Sequence, residues 1–208
     1  MQIYNDIIQG SKEWELLRLG SIGGSSISAV TAKGAGKMRK SLLYRMAGEI
    51  LSGVKYEGYR NADMDRGLEQ EADARNIYAM EREVEVVQIG LIKKDEFRHV
   101  SSDGLIEEDG MIEIKCVIPS VHIETIDTEK IDGGYYKQIQ WGLFICQRLY
   151  CDFISYSPLV ADYPIWIKRV ERDEKVINEL NDGADKFINE LKGLVLKIKG
   201  TGDKYGSN

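Results

Sequence analysis

The stretch Ser101-Ser102-Asp103-Gly104-Leu105-Ile106-Glu107-Glu108-Asp109-Gly110-Met111-Ile112-Glu113-Ile114-Lys115-Cys116 decides how this chain is read. It splits into two short runs, Leu105 to Glu107 and Met111 to Val117, about the turn Glu108-Asp109-Gly110. Asp-Gly between apolar runs is a hairpin signal. Along a strand successive side chains face opposite ways. Glu113 and Lys115 therefore share one face, and Ile112, Ile114 and Cys116 share the other. The apolar set belongs to a core. The other set puts a carboxylate beside an ammonium on a strand otherwise built for burial. Asp103 ends the preceding strand, ahead of a glycine that permits a tight bend, and a hairpin or meander returns it close to Glu113.

Two carboxylates meeting at a strand end form a hard, all-oxygen site suited to Mg²⁺ or Mn²⁺. Such an ion can hold a phosphodiester oxygen, lower the pKa of a water and stabilise developing negative charge. A neighbouring lysine can orient or deprotonate the attacking water. Burial and the metal lower its pKa and the carboxylates raise it, so the sequence leaves the net direction open. The Glu-x-Lys spacing by itself carries little, because acid-x-Lys recurs at Asp173-Glu174-Lys175 and Glu190-Leu191-Lys192, on a solvated helix. Three additions strengthen it: the strand context, the upstream Asp103-Gly104, and a carboxylate on the preceding helix. That helix carries Arg66-Gly67-Leu68-Glu69-Gln70-Glu71-Ala72-Asp73-Ala74-Arg75. Gly67 lets it approach other backbone closely, and Glu71 lies one turn on. The same segment also reads as a charged helix face with an i,i+4 pair between Glu71 and Arg75.

Working outward, the first half is helical. Ser11 caps a helix over Lys12 to Leu19, ended by Gly20. Ser25 or Ser26 begins another through Ile27 and Val30. Gly34 to Lys40 reads as a loop, made basic with Lys33 before it, and Ser41 caps Leu42 to Leu51. Asp63 to Glu83 is a long helix. Period-two runs follow at Val84 to Ile89, Gly90 to Lys94, Arg98 to Ser102, Leu105 to Glu107 and Met111 to Val117. Tyr135 to Leu149 is a buried helix, Tyr150 to Ser157 and Ile165 to Val170 are strands, and Asp173 caps a final helix to about Lys199. Pro119, Pro158 and Pro164 fall at strand ends or loops. The expected fold class is α/β (α+β), one domain over residues 1–200 with a central mixed sheet flanked by helices. Residues 201–208 read as a flexible tail.

The 208 residues carry 28 Lys+Arg against 34 Asp+Glu, a net charge of −6, which excludes a wholly basic nucleic-acid coat but not a local basic groove. A hydrophobic fraction of 43% is enough for a real core. No apolar run is long enough for a transmembrane helix, and Met1 to Asp6 carries no signal-peptide pattern, so a cytoplasmic protein with no membrane partner is expected. Cys116, Cys146 and Cys151 are odd in number and widely spaced, and read as buried small hydrophobes in a reducing compartment. Gly34-Ala35-Gly36-Lys37 lacks the spacing of a phosphate loop. The basic stretch Lys33 to Lys40 reads as a solvated loop that also meets phosphates. Trp14, Trp141 and Trp166 read as core, and His99 and His122 as surface or packed side chains rather than ligands.

Taken together, the chain resembles the phage lambda exonuclease family, the viral recombination alkaline exonucleases of the PD-(D/E)XK nuclease superfamily. The resemblance runs through Gly10 to Gly20 with Ile22 and Ser25, Arg66-Gly67 with Glu71 to Arg75, and Ser101 to Cys116. It continues through Tyr136 to Gln140 and Val170 to Lys175. It implies a restriction-endonuclease-like core. Asp103 and Glu113, with the Ile114 backbone carbonyl, would bind Mg²⁺ (Mn²⁺ substituting). Glu71 would serve a second metal's shell, with Glu69 a rival for that place. Lys115 would position the water, and Gln138 would contact the nucleophile or phosphate. Arg18, Ser25 and Ser101 match a pocket for a terminal 5′-phosphate; the residues alone read as a surface arginine and a plain N-cap. Ser102 stands where the family often has proline, which loosens the bend before Asp103. The implied activity is a Mg²⁺-dependent 5′→3′ exonuclease that degrades one strand of duplex DNA from its ends to 5′-mononucleotides and leaves 3′ single-stranded tails. The implied partners are double-stranded DNA ends, a homotrimeric ring and a single-strand annealing recombinase, in a phage- or prophage-type protein of a bacterial host. An endonuclease of the same superfamily and a non-cleaving DNA-end-binding scaffold are the alternatives.

Overall fold

In the computed structural model, residues 1–32, 36–55 and 62–202 are described, without the side chains of 62–69 and 201–202. The chain opens with β1 (Gln2–Tyr4), α1 (Lys12–Leu17), α2 (Gly24–Val30), α3 (Lys37–Ser52) and α4 (Ala62–Arg82). Strands β2 (Val86–Val87), β3 (Leu91–Asp95), β4 (Arg98–Val100), β5 (Gly104–Ile106) and β6 (Gly110–Cys116) follow. Then come α5 (Pro119–Thr128), α6 (Gly133–Cys146), β7 (Tyr150–Tyr156), β8 (Ile165–Glu171) and α7 (Glu174–Gly202).

The strands form two sheets where one was expected. A five-stranded sheet has the order β2-β5-β6-β7-β8, and a three-stranded sheet has the order β1-β3-β4. In the larger sheet β6 and β7 are parallel and every other neighbour is antiparallel, so it is mixed. The parallel pair needs a crossover, which α5 and α6 supply. The chain changes sheets at Ser101 to Asp103, between β4 and β5. That change divides the meander. Strand β1 is short and mostly exposed, and gives no periodic signal.

The two faces of the larger sheet pack differently. One face sends Ile106, Ile112, Ile114, Ile154 and Tyr156 against Ala74 and Tyr78 of α4. The other sends Met111, Cys151 and Phe153 into a core with Ile139, Trp141 and Leu143 of α6. Helix α7 joins that core along Leu180, Ala184, Phe187, Ile188, Leu191 and Val195, all buried at helical spacing. Burying each large apolar side chain of this stripe stabilises the fold by roughly 1.5–3 kcal/mol.

Several helix boundaries differ from expectation. Helix α3 starts at Lys37, so Lys37 to Lys40 are helical and Ser41 is interior; Lys33 to Ala35 lie outside the described residues. Lys and Arg are good helix formers, and Arg39 ties this turn to α7 through two 2.8 Å hydrogen bonds to Glu190. Helix α2 begins at Gly24, capped by Gly23, with the Ser26 hydroxyl accepting from the Gly23 amide at 3.2 Å. Pro119 opens α5 at its first turn, where a missing N–H costs nothing. That helix buries only His122, so it shows no apolar stripe. Helix α7 includes Thr201 and Gly202, two residues of the expected tail; the remainder lies outside the described residues.

Candidate active site

The antiparallel register of β5 and β6 pairs Gly104 with Ile112 and Leu105 with Met111. Continued one residue, it sets Asp103 across from Glu113. The chain leaves the sheet there, and the Asp103 carboxylate takes over: its Oδ2 accepts from the Ile114 amide at 2.6 Å. Ser102 secures the bend that proline stiffens in the resembled family. Its hydroxyl donates to the Gly104 carbonyl at 2.9 Å and accepts from the Gly104 amide at 3.3 Å. The Asp103 carbonyl accepts from Arg75 Nε at 2.8 Å, which ties the bend to α4.

Glu113 is buried and faces α6. Its Oε1 accepts from Lys115 Nζ at 2.6 Å and from Gln138 Nε2 at 2.5 Å. Gln138 reaches it because α2 comes close to α6 at a glycine: a Cβ on Gly24 would stand 2.9 Å from Gln138 Cγ. Lys115 keeps 21% exposure, so its ion pair does not seal it from water. It borders a cleft of about 630 Å³ between α5 and α6, lined also by Val121, Thr125, Tyr135, Phe153 and Ser155. Glu71 pairs with Arg75, as the helix-face reading expects, and also acts electrostatically on Asp103. The surroundings of Gly67 and the side chain of Glu69 lie outside what is described.

Crowded charge shapes this cluster. Burial foremost, then Glu113 and Glu71, pushes the Asp103 carboxyl well above the usual carboxylate range, against Lys115 and the Ile114 amide. Burial and Glu113 likewise push Glu71 up, against Arg75. For Lys115, burial alone would lower the pKa, but Glu113 and Asp103 outweigh it and hold the ammonium above the usual lysine range. The direction left open by the sequence is therefore upward: Lys115 is a cation and a hydrogen-bond donor.

The donor set fits a hard divalent ion. Asp103 and Glu113 supply carboxylate oxygens in a region of excess negative charge. Among the described residues no three His, Cys, Asp or Glu side chains form a complete metal-holding group.

Residues 13–148 match the profile of the YqaJ-like viral recombinase domain. The chain belongs to that family. At 33% identity it is similar to an alkaline exonuclease from Laribacter hongkongensis, with a TM-score of 0.88, covering 94% of this chain and 100% of that one. The same figures hold for that exonuclease in complex with dAMP. A phage-related exonuclease from Haemophilus somnus 129PT shares the fold at 17% identity, with a TM-score of 0.70 over 86% of this chain and 96% of that one. No curated protein sequence matches. Among the described residues of this YqaJ-like chain, no helix is long and apolar enough to cross a membrane.

A second polar cluster lies at the three-stranded sheet. Ser21 to Gly23 runs alongside β4: the Ile22 amide donates to the Phe97 carbonyl at 2.8 Å, and the His99 amide to the Ile22 carbonyl at 3.0 Å. The Arg18 guanidinium lies over the Trp14 ring at 3.7 Å from its centroid. Trp14 is therefore a half-buried platform, not a core residue. Its indole N–H donates to Ser101 Oγ at 2.9 Å and to the Gly90 carbonyl at 3.1 Å. Arg18 and Ser101 are thus brought onto one tryptophan. Ser25 is exposed at the second position of α2 and joins none of these hydrogen bonds. His99, set aside on the sequence, is buried and accepts from Arg18. Two spacings signal this cluster: Trp14 and Arg18 are i,i+4 on a helix, and His99 and Ser101 share one side of an extended run. His122 is buried and bonded to Ser155 Oγ at 2.8 Å.

Proposed function

We propose that this chain is a nuclease that hydrolyses one strand of double-stranded DNA from its end in the 5′→3′ direction, with Mg²⁺ (or Mn²⁺) as cofactor. The Glu113–Lys115–Gln138 hydrogen-bonded cluster, with the Asp103 carboxylate on the adjacent Ile114 amide and Lys115 bordering an open cleft, carries this reading. Membership of a viral recombinase family supports it. Asp103 and Glu113, with the Ile114 carbonyl, would hold the ion, and Glu71 would serve a second metal's shell. The ion would supply Lewis-acid stabilisation of the phosphoryl charge and favour ionisation of the attacking water. The protein's own groups do the rest. Glu113 fixes the Lys115 ammonium and the Gln138 amide on a single oxygen, so both donors stand at one place. Lys115 orients the water and offsets the charge that builds on the phosphate. Water adds to phosphorus, the bond to the 3′ oxygen breaks, and that oxygen takes a proton. A nucleoside 5′-monophosphate leaves, and the shortened strand again ends in a 5′-phosphate.

That regenerated phosphate gives Arg18 and Ser101 a role. The hydrogen bonds around them consume acceptors and leave donors, which suits an anion. Ser25, at the start of α2, would complete the pocket. The test is a time course on linear duplex labelled at the 5′ or the 3′ end, with Mg²⁺ or EDTA. Loss of the 5′ label as mononucleotide in Mg²⁺ alone, with a closed circle left intact, is expected. Cutting of the circle supports the endonuclease alternative. Binding without release of any label supports the scaffold.

The proposal extends to assembly as a ring-shaped homotrimer that threads DNA and passes its 3′ strand to a single-strand annealing recombinase. Such a ring allows an acidic chain to line its channel with basic groups. Light scattering should give about three times the chain mass, and a monomer would reject the ring.

A further inference from the structure

The hydrogen bonds of His99 can be assigned without ambiguity. Arg18 Nε carries a proton and can only donate, so His99 Nε2, at 3.0 Å, is the acceptor. The ring proton then sits on Nδ1, 2.7 Å from Ser21 Oγ, which must accept it. The Ser21 hydroxyl proton is left free, and it donates to the Arg18 carbonyl at 2.9 Å. The circuit closes on the residue where it began: the Arg18 side chain is tied to its own backbone through His99 and Ser21. Trp14 holds the flat face of the guanidinium from one side. Only the two terminal nitrogens of Arg18 are left to face a ligand.

We infer that His99 is a positioning residue which, as the neutral Nδ1–H tautomer, aims the terminal fork of Arg18 at the 5′-phosphate and so sets the enzyme's preference for phosphorylated ends. The inference rests on the proposed role of Arg18 and deepens it. Three further features fit it. His99 is 2% exposed, so water does not compete for its ring. A Cβ on Gly23 would stand 2.5 Å from His99 Nε2, so glycine is what admits the imidazole to this position. Burial foremost, then the charges of Arg18, Lys93 and Lys55, keeps the imidazole neutral. A protonated Nε2 would have nothing to accept with and would repel Arg18.

Glutamine places its amide oxygen about where Nε2 stands, whereas asparagine reaches only as far as Nδ1. The two substitutions therefore separate the contact to Arg18 from the contact to Ser21. The readout is the ratio of kcat/KM on 5′-phosphorylated duplex to that on 5′-hydroxyl duplex. A second readout is the ratio of affinities for the same two duplexes by fluorescence anisotropy in EDTA. Arg18→Ala should bring both ratios close to one. His99→Asn should lower them on the order of 10-fold, the size of a lost charge-assisted contact. His99→Gln should stay within about threefold of the parent. Adding His99→Asn to Arg18→Ala should change nothing further, because the two act as one unit.

If His99→Asn melts like the parent and keeps its ratios, or if Gln and Asn lose them equally, the inference is overturned while the role of Arg18 stands. If Arg18→Ala itself keeps the ratios, the terminal-phosphate reading falls, and the inference with it. Should His99→Asn fail to fold, Ser21→Ala decides. It takes away the acceptor that pins the tautomer, so the ratios should drop about threefold; unchanged ratios would overturn the inference.

Discussion

Lys115→Ala is expected to lower turnover by roughly 10²–10⁴-fold while leaving affinity for duplex DNA, measured by anisotropy in EDTA, within about threefold. The ammonium sits 2.6 Å from Glu113 Oε1 and within reach of the Gln138 amide oxygen at 3.4 Å. It is held charged by Glu113 and Asp103 although burial opposes this. Its energy is therefore invested in one fixed position rather than in a mobile surface contact. One exposed phosphate contact among many contributes little to affinity, whereas a pre-oriented cation beside the reacting phosphorus acts mostly in the transition state. Lys115→Arg sharpens the test. It keeps the charge, but the planar guanidinium cannot take the place of a compact ammonium, so it should recover little of the loss. Near-normal turnover in Lys115→Ala would end the catalytic assignment.

What the sequence disclosed, and what it hid, follows from the range of each interaction. Alternation along Met111 to Cys116 is local, and the structure has Ile112 and Ile114 packed under α4 while Glu113 and Lys115 meet α6. The hairpin about Asp109-Gly110 is local too, and its register alone carries Asp103 to Glu113. Gln138 needed the resemblance, because its approach depends on Gly24, more than a hundred residues away. The Arg18–His99–Ser21 circuit was hidden for the same reason: Ser21 reaches His99 only because Ser21 to Gly23 runs along β4. Helix α5 was missed on different grounds. It packs against β7 with one buried residue, so its sequence has no period to detect. Ser102 shows how a departure from a family pattern can be compensated, since a hydroxyl bonded twice to Gly104 restrains the bend without a proline ring.

Asp103→Asn should move activity and stability in opposite directions. Activity should fall on the order of 10³-fold or more, because a carboxylate in the metal-binding role proposed for Asp103 supports several kcal/mol of transition-state stabilisation. Stability, measured by thermal melting in EDTA at pH 8, should rise by about 0.5–2 kcal/mol, a few degrees for a chain of this size. The sign follows from the pKa. Burial, Glu113 and Glu71 raise the Asp103 carboxyl in the folded protein above its unfolded value. An acid raised on folding costs stability as pH climbs through the unfolded value, and the cost is complete once pH exceeds the folded one. Asparagine has the same shape, and its amide oxygen can still accept from the Ile114 amide, so the substitution removes the charge and keeps the bond. The gap between the two proteins should therefore close on acidification to about pH 3, below the unfolded carboxyl value, where both states of the parent carry the proton. Added Mg²⁺ should reverse the order at pH 8, since an ion that binds only the folded parent raises its stability by mass action and finds one carboxylate fewer in the variant. If Asp103→Asn melts below the parent in EDTA, the carboxylates are not crowded as described, and the site's demand for a cation loses its physical basis.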